Sequence, residues 1–407
     1  MVAPRHINPA PLARLLSVAP MMDWTDRHCR YFHRLLSQRA LLYTEMVTTG
    51  ALIHGDIPRH LAYDEFEHPV ALQLGGSEPQ DLAHFAQLGQ EWGYDEINLN
   101  CGCPSERVQR GAFGACLMLE PHTVSDCVKA MKDRVSIPVT VKHRIGVDRF
   151  ESYGFVRDFV GQVALAGCEV FIVHARSAWL KGPSPKENRE IPPLRYEVLG
   201  KLKADFPNLQ FIVNGGVEDN AHIEQFLTQG SEVWVGLSDS GDSGDLGDLG
   251  DLGHLSDEPR GKEDVDFQGP IDGVMVGRAA YHTPYMLSEW DNIFEHHSKI
   301  TTTHGVQAPE LSPERLRTRE EVELAYVEYM HKTLQEMKAN PKERSNPNQT
   351  ASYQHMSRHM LGLWHGQAGA RRWRQVWSDP GLKHESVFKR MELATQARLN
   401  ASVIEAA

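Results

Sequence analysis

The segment 98–105, Asn-Leu-Asn-Cys-Gly-Cys-Pro-Ser, concentrates side chains that can carry chemistry. Its apolar beginning predicts a buried strand, and Gly102 and Pro104 then end regular strand pairing. Cys103 therefore follows the carboxyl end of a strand, where chemistry in α/β proteins is concentrated. Because thiols have an ordinary pKa of about 8.5, they are mostly protonated at neutral pH. We interpret Cys103 as a proton donor, carried on a glycine-rich segment with the composition of a mobile lid.

Polar, charged and glycine residues also stand at the ends of other short apolar runs. After the last two of eight such runs, glycines precede a helical segment, so that backbone N–H groups converge in a candidate phosphate cradle. Arg278 adds positive charge to that cradle. The strand-end segments that carry these residues are 19–23, 73–75, 141–144, 173–176, 214–216 and 276–278.

Each of these residues alone also has an ordinary structural interpretation. A Gly-Gly pair is usually a turn, a strand lysine such as Lys142 usually faces solvent, and a histidine such as His174 is usually a core residue. Cys103 alone is most often an inert thiol. Their recurrence at the same end of successive runs favours a common site instead.

The apolar runs that position these residues alternate with amphipathic helical patterns, for example over 78–92 and 121–134. Their continuous Val/Ile/Leu character is typical of a parallel sheet covered on both faces. Eight such units over roughly 280 residues predict a TIM barrel, with a doubly wound sheet as the alternative. The runs are 15–20, 41–47, 70–74, 97–100, 139–142, 170–174, 211–214 and 273–276.

The remaining segments differ from the barrel pattern. Residues 15–300 are assigned to the barrel and residues 1–14 to a proline-rich arm. An acidic, low-complexity insertion over 238–265 repeats Asp-Leu-Gly and is expected to be loop-like. A ninth strand-like run, 232–237, leads into it. Helical patterns over 313–407 predict a C-terminal all-helical domain.

Composition further limits the classes of protein to which this chain can belong. Of the 407 residues, 41% are hydrophobic and 24% are charged, as in ordinary globular proteins. No run of about 18 uncharged apolar residues occurs, so no membrane span is expected. Six scattered cysteines without a Cys-x-x-Cys pair argue against a disulfide scaffold and a structural zinc site. We therefore expect a cytoplasmic protein that holds no metal.

The distribution of charge matters more than the total of -12. Segment 239–266 contains ten acidic and two basic residues, a net of -8, which leaves -4 for the rest of the chain. Segment 338–374 contains seven basic residues and one acidic residue, a net of +6. Because charges act within a Debye length of about 8 Å, the total does not exclude a nucleic-acid partner.

Four segments together resemble the bacterial tRNA-dihydrouridine synthases, and the resemblance covers almost all of residues 17–379 apart from the acidic insertion. The third of these segments points to the A-type, which acts on adjacent D-loop uridines. Two stretches in the C-terminal region, beginning at Ser357 and Gly369, also resemble the family. The four segments are 19–26, 98–105, 184–194 and 272–278.

The resemblance implies FMN as cofactor, NADPH as reductant and tRNA as substrate. It implies that Lys142 faces the flavin ring and that eleven strand-end residues contact FMN. These are Ala19, Pro20, Met21, Gln73, Lys142, His174, Asn214, Gly215, Gly216, Gly277 and Arg278. Hydride would pass from flavin N5 to C6 of uracil, and Cys103 would give a proton to C5 from the opposite face, with the uridine flipped out of its stack. Residues implied to contact tRNA are Asn100, Lys186, Arg189, Arg358 and Arg371. Cys101 and the insertion depart from the family pattern; we expect Cys101 to be structural and the insertion to point away from RNA.

Two other functions compete with this one. A small-molecule flavin oxidoreductase of the dihydroorotate dehydrogenase or old-yellow-enzyme kind would need no basic helical region. A non-catalytic RNA-binding protein would bind no flavin and would tolerate loss of Cys103. In the basic region itself, Trp364 and Trp373 are expected to be core residues, whereas Arg358 and Arg371 are the candidates for RNA contact.

Overall fold

Parallel strands close into a barrel in the computed structural model, which describes residues 13–105, 113–228, 270–301, 317–339 and 352–405. The strands β1 to β9 are Leu16–Val18, Leu41–Tyr43, Val47–Thr48, Val70–Gly75, Glu96–Cys101, Val139–Arg144, Val170–His174, Gln210–Asn214 and Gly273–Val276. Adjacent strands follow the order β2, β1, β9, β8, β7, β6, β5, β4, and β4 also pairs with β2, which closes the barrel. The short β3 pairs with β4 as well, so β2 and β3 together occupy one of the eight strand positions of the barrel.

Alternation along the strands separates two environments. On β5, Ile97 and Leu99 belong to the main core formed with the surrounding helices. Glu96, Asn98 and Asn100 alternate with them and therefore project into the barrel. The barrel interior thus combines polar side chains with a second apolar cluster. That cluster consists of Ala19, Leu41, Tyr43, Ala71, Val170, Ile172, Ile212 and Met275.

Helices follow most strands and cover the outside of the barrel, and further helices form the C-terminal region. The helices α1 to α14 are Arg27–Leu36, Thr49–His54, Ile57–Leu61, Pro79–Trp92, Pro121–Lys132, Tyr153–Leu165, Glu197–Asp205, Asn220–Thr228, Arg278–His282, Trp290–Thr301, Arg319–Ala339, Tyr353–Ser357, Ala370–Ser378 and Val387–Glu405.

A buried carboxylate organises the C-terminal helices. Glu323 of α11 accepts hydrogen bonds from the indole N–H groups of Trp364, Trp373 and Trp377, at 3.1, 2.8 and 3.4 Å. Burial raises the pKa of Glu323, although these hydrogen bonds act in the opposite direction. Trp364 and Trp373 are therefore core residues, as expected, and Trp377 is buried with them.

Asp26 joins the barrel to the C-terminal helices. It caps α1 by accepting two backbone N–H groups, and its carboxylate also lies 3.1 Å from both Arg358 and His359. Burial alone would raise the pKa of Asp26, but hydrogen bonds from His355 and His359 hold it well below its usual range. The contact places Arg358 at the edge of the barrel's carboxyl-terminal face.

The predicted TIM barrel with a helical C-terminal region is confirmed. Within this region the helical pattern over 353–364 predicts one helix, and that prediction is wrong, because α12 ends at Ser357 and a 3-10 turn follows. Gly362 lies against the carbonyl of His282, where a Cβ atom has no room. The division into domains stays a prediction. The ninth run and the insertion lie outside the described residues, as does the arm before residue 13.

Within the described ranges, none of the helices combines the length and the apolar character that crossing a membrane requires. The same ranges contain no group of three or more His, Cys, Asp or Glu side chains arranged to hold a metal ion.

Candidate active site

A cleft of about 2170 Å³ opens at the carboxyl ends of the barrel strands and extends toward the C-terminal helices. All predicted site residues line it except Lys186 and Arg371. The fold thus brings together residues that are up to 339 positions apart, from Ala19 to Arg358. The predicted set in the cleft is Ala19, Pro20, Met21, Gln73, Asn100, Cys103, Lys142, His174, Arg189, Asn214, Gly215, Gly216, Gly277, Arg278 and Arg358.

Cys103 is half-buried at the start of the loop that follows β5. Its backbone N–H donates to Oδ1 of Asn100 at 3.0 Å, and the same oxygen accepts the N–H of Gly102 at 3.1 Å. Its carbonyl accepts the N–H of Ala115 at 2.9 Å, and its Sγ lies 3.5 Å from Oγ of Ser105. These contacts fix the backbone on both sides of the thiol. The predicted lid is segment 111–115: its first two residues lie outside the described residues, and Phe113, Gly114 and Ala115 are buried.

A column of hydrogen-bonded side chains supports Asn100 from inside the barrel. Asn100 Nδ2 donates to Gln73 Oε1 at 3.0 Å, and Gln73 Nε2 donates to Asn98 Oδ1 at 2.8 Å. Asn98 Nδ2 donates to Thr140 Oγ1 at 2.8 Å, and that hydroxyl donates to Glu96 at 2.7 Å. Each amide is fixed by neighbours on both sides, so the column holds Asn100 in one orientation.

Positive side chains crowd the centre of the cleft. Burial, with help from Arg144, lowers the pKa of Lys142 to about 7. Burial and the nearby Arg144 and Lys142 also lower the pKa of His174, which keeps its ring neutral at pH 7. Arg144 itself has a pKa lowered by burial to about 9 and stays charged. A site in which Arg144 is charged and His174 is neutral favours an anionic ligand.

The two glycine turns have different surroundings. Gly215 and Gly216 adopt φ values of 103° and 71°, in the left-handed region that favours glycine. A Cβ atom on Gly216 would overlap the hydroxyl of Tyr196. At Gly277 a Cβ atom would meet nothing closer than Ala19 at 4.0 Å, so the backbone there borders open space in the cleft. Such turns give a phosphate direct access to backbone N–H groups.

The cations predicted to contact RNA occupy three different positions. Arg189 lines the cleft, and Lys186 lies three residues earlier on the same segment, exposed and outside the cleft. Arg278 forms an ion pair of 2.6 Å with Glu190, which ties this segment to the start of α9. Arg371 is exposed on α13, away from the cleft lining.

Arg144 is a site residue that the sequence-based selection missed. Its guanidinium donates to the carbonyl of Gly102 at 3.2 Å and to that of Asn188 at 3.0 Å. It therefore ties the Cys103 loop to the segment that carries Arg189. The signal was its spacing from Lys142, because residues two apart on a strand share one face.

A closed parallel β/α barrel with a charged cleft at its carboxyl-terminal face is the architecture of TIM-barrel enzymes. The family model described as dihydrouridine synthase (Dus) matches residues 17–236. The protein named tRNA-dihydrouridine(20/20a) synthase in Pseudomonas syringae pv. tomato is 47% identical to this chain over 97% of both chains. The protein of the same name in Pseudomonas putida is 47% identical to it over 92% of this chain and 91% of its own. The relative of that name in Vibrio cholerae is 48% identical over 90% of this chain and 91% of its own.

The chain belongs to the dihydrouridine synthase family. Enzymes of this family are flavin oxidoreductases that reduce uridine in tRNA. The family, the fold and the class of enzyme that the sequence predicts are therefore confirmed.

Proposed function

We propose that this protein is a tRNA-dihydrouridine(20/20a) synthase that binds FMN and is driven by NADPH. The observation that carries the proposal is the position of Cys103, which shares one strand-end cleft with Lys142 and the glycine turn at Gly277. The similarity to relatives of this name over nine-tenths of the chain supports the same substrate. The substrate, together with six free cysteines, favours a cytoplasmic location.

The residues of the cleft fit an FMN cofactor. FMN carries a phosphate, for which the open backbone at Gly277, with Arg278 beside it, is suited. The excess of positive charge around Lys142 and His174 suits an electron-rich ring. Residues proposed to hold the cofactor are Ala19, Pro20, Met21, Gln73, Lys142, His174, Asn214, Gly215, Gly216, Gly277 and Arg278.

The protein's own part in the reaction is to position the base and supply a proton. A hydride for C6 of uracil is the chemistry that a bound flavin supplies, and the electrons come from NADPH. The Cys103 thiol donates its proton to C5, which completes saturation of the C5–C6 bond. Asn100, Arg189 and Arg358 bind the tRNA near the cleft, and Lys186 and Arg371 bind it farther out.

The proposal is tested by supplying the purified protein with tRNA from a strain that lacks this activity. We expect a yellow protein that releases FMN, oxidises NADPH faster than NADH and forms dihydrouridine at positions 20 and 20a, mapped by mass spectrometry. Reduction of a free pyrimidine or an enone, with no dihydrouridine in tRNA, would instead support a small-molecule oxidoreductase. A colourless protein that binds tRNA would contradict both.

A further inference from the structure

Trp179 is an exposed aromatic residue at the carboxyl-terminal face of the barrel. It lies in the loop after β7, five residues beyond His174, and 43% of it is exposed. Tryptophan side chains in folded proteins are usually well buried. Its place in the sequence suggests no role for it, and the proposed reduction of uridine does not use it.

The backbone that carries Trp179 is held firmly in place. Its N–H donates to Oδ1 of Asn188 at 2.7 Å, and Nδ2 of Asn188 donates back to its carbonyl at 2.9 Å. Asn188 is fully buried, so water does not compete for these bonds. The N–H of Leu180 donates to Asp148 at 2.8 Å, and Ala178 bridges to Val147. A rigid support lowers the entropy cost of binding through the indole.

The support of Trp179 is continuous with the active-site cleft. The carbonyl of Asn188 accepts a hydrogen bond from Arg144, whose guanidinium also reaches the carbonyl of Gly102, beside Cys103. The residue after Asn188 is Arg189, which lines the cleft. A ligand that extends from the cleft along this segment therefore reaches the indole.

The charges around Trp179 suit a polyanion. Lys181 and Lys186 are exposed on the same loop, and Arg189 is exposed at the cleft. Of the two acids on this loop, Glu190 is paired with Arg278, and Glu187 accepts the N–H of Ser184 at 2.7 Å. Exposed aromatic rings among basic residues are the usual platform for unstacked nucleotide bases.

We infer that Trp179 stacks on an unstacked base of the tRNA other than the uridine that is reduced. The inference rests on the proposed function, because it takes tRNA as the ligand. The indole face supplies affinity without reading the base, while Lys181 and Lys186 meet neighbouring phosphates.

The test compares three variants of the flavin-loaded enzyme: Trp179→Ala, Trp179→Phe and, as control, Leu165→Ala. Leu165 is 84% exposed and ends α6, at the opposite end of the barrel. Stacking predicts that Trp179→Ala weakens tRNA binding about 5- to 100-fold and raises KM with little change in kcat. Trp179→Phe should stay within about threefold of wild type because it keeps an aromatic face. Leu165→Ala should match wild type, and flavin absorbance should be the same in all three.

Two results would overturn the inference. One is a Trp179→Ala variant that binds tRNA as tightly as wild type. If that variant also loses self-association, the indole belongs to a contact between copies of the chain. The other is a Trp179→Phe variant that binds tRNA as weakly as Trp179→Ala although its melting temperature equals that of wild type. That result would exclude stacking. Both leave the proposed function standing if wild type still forms dihydrouridine. Absence of that product in wild type would remove the proposed function, and the inference with it.

Discussion

Asn100 accepts the backbone N–H of Cys103 at 3.0 Å, and this bond connects the proposed proton donor to the interior of the barrel. The other end of the same amide donates to Gln73 at 3.0 Å. The position of the thiol therefore depends on Asn100 and, through Gln73, on side chains deeper in the barrel. Small displacements of a reacting group are costly, so we expect catalysis to be sensitive to this support.

Replacement of Cys103 tests the proton donor directly. Cys103→Ala should retain flavin absorbance and tRNA affinity, because among the described residues the thiol makes a single, long hydrogen-bonding contact, with Ser105. It should lose at least about 100-fold in uridine reduction, since general acid catalysis contributes roughly that much. Turnover is measured as dihydrouridine formed per enzyme. Cys116→Ala, which removes another half-buried thiol nearby, serves as the control and should keep full activity. Equal activity in the two variants would remove the role assigned to Cys103.

Replacement of Asn100 tests the support rather than the acid. Asn100→Ala removes the acceptor for two backbone N–H groups, and we expect kcat to fall about 10- to 100-fold while FMN stays bound. Asn100→Asp keeps that acceptor but cannot donate to Gln73, so its kcat should lie between those of wild type and Asn100→Ala. If only KM for tRNA changes, Asn100 contacts RNA without positioning the thiol.

The low pKa of Lys142 predicts a dependence of stability on pH in the flavin-free protein. Burial lowers the pKa of this lysine in the folded state from its ordinary 10.5 to about 7. Between these values the unfolded chain binds more protons, so the free energy of unfolding should rise with pH. Relative to Lys142→Met, wild type should gain up to about 1.4 kcal/mol per pH unit from pH 7 to 9. Urea unfolding of both proteins measures the difference. A difference that is flat or falls with pH would contradict the assignment.

The sequence predicted which strand ends meet, because parallel strands in a barrel share one carboxyl-terminal face. It could not show that Arg144 reaches carbonyls 42 and 44 residues away in the chain. It also could not show that Gln73, predicted as a cofactor residue, bonds through both ends of its amide to Asn98 and Asn100. Residue type and period indicate that a side chain faces inward, whereas its hydrogen-bond partner depends on the register of strands distant in sequence.

Glu323 should dominate the stability of the C-terminal helices. Glu323→Ala leaves three indole N–H groups without their acceptor in a buried site, and we expect the free energy of unfolding to fall by roughly 3 kcal/mol. Glu323→Gln should cost less, because one amide oxygen still accepts from Trp373 and Trp377. Glu328→Ala, on an exposed face of the same helix, is the control for loss of a carboxylate. Equal stability of the two Ala variants in urea would show that the indoles need no acceptor.

Replacement of Arg371 tests whether the C-terminal helices contact tRNA at all. The residue lies outside the cleft, so its side chain affects phosphate binding and not the reduced base. Arg371→Ala should weaken tRNA binding with kcat and flavin absorbance unchanged, and it should reduce the slope of log affinity against log salt by about 1. Lys129→Ala, which removes an exposed cation on α5, should leave that slope unchanged. Because one phosphate contact has a defined salt dependence, an unaltered slope in Arg371→Ala would place the RNA on another surface even if affinity fell. A slope altered equally in Lys129→Ala would show that only total charge matters.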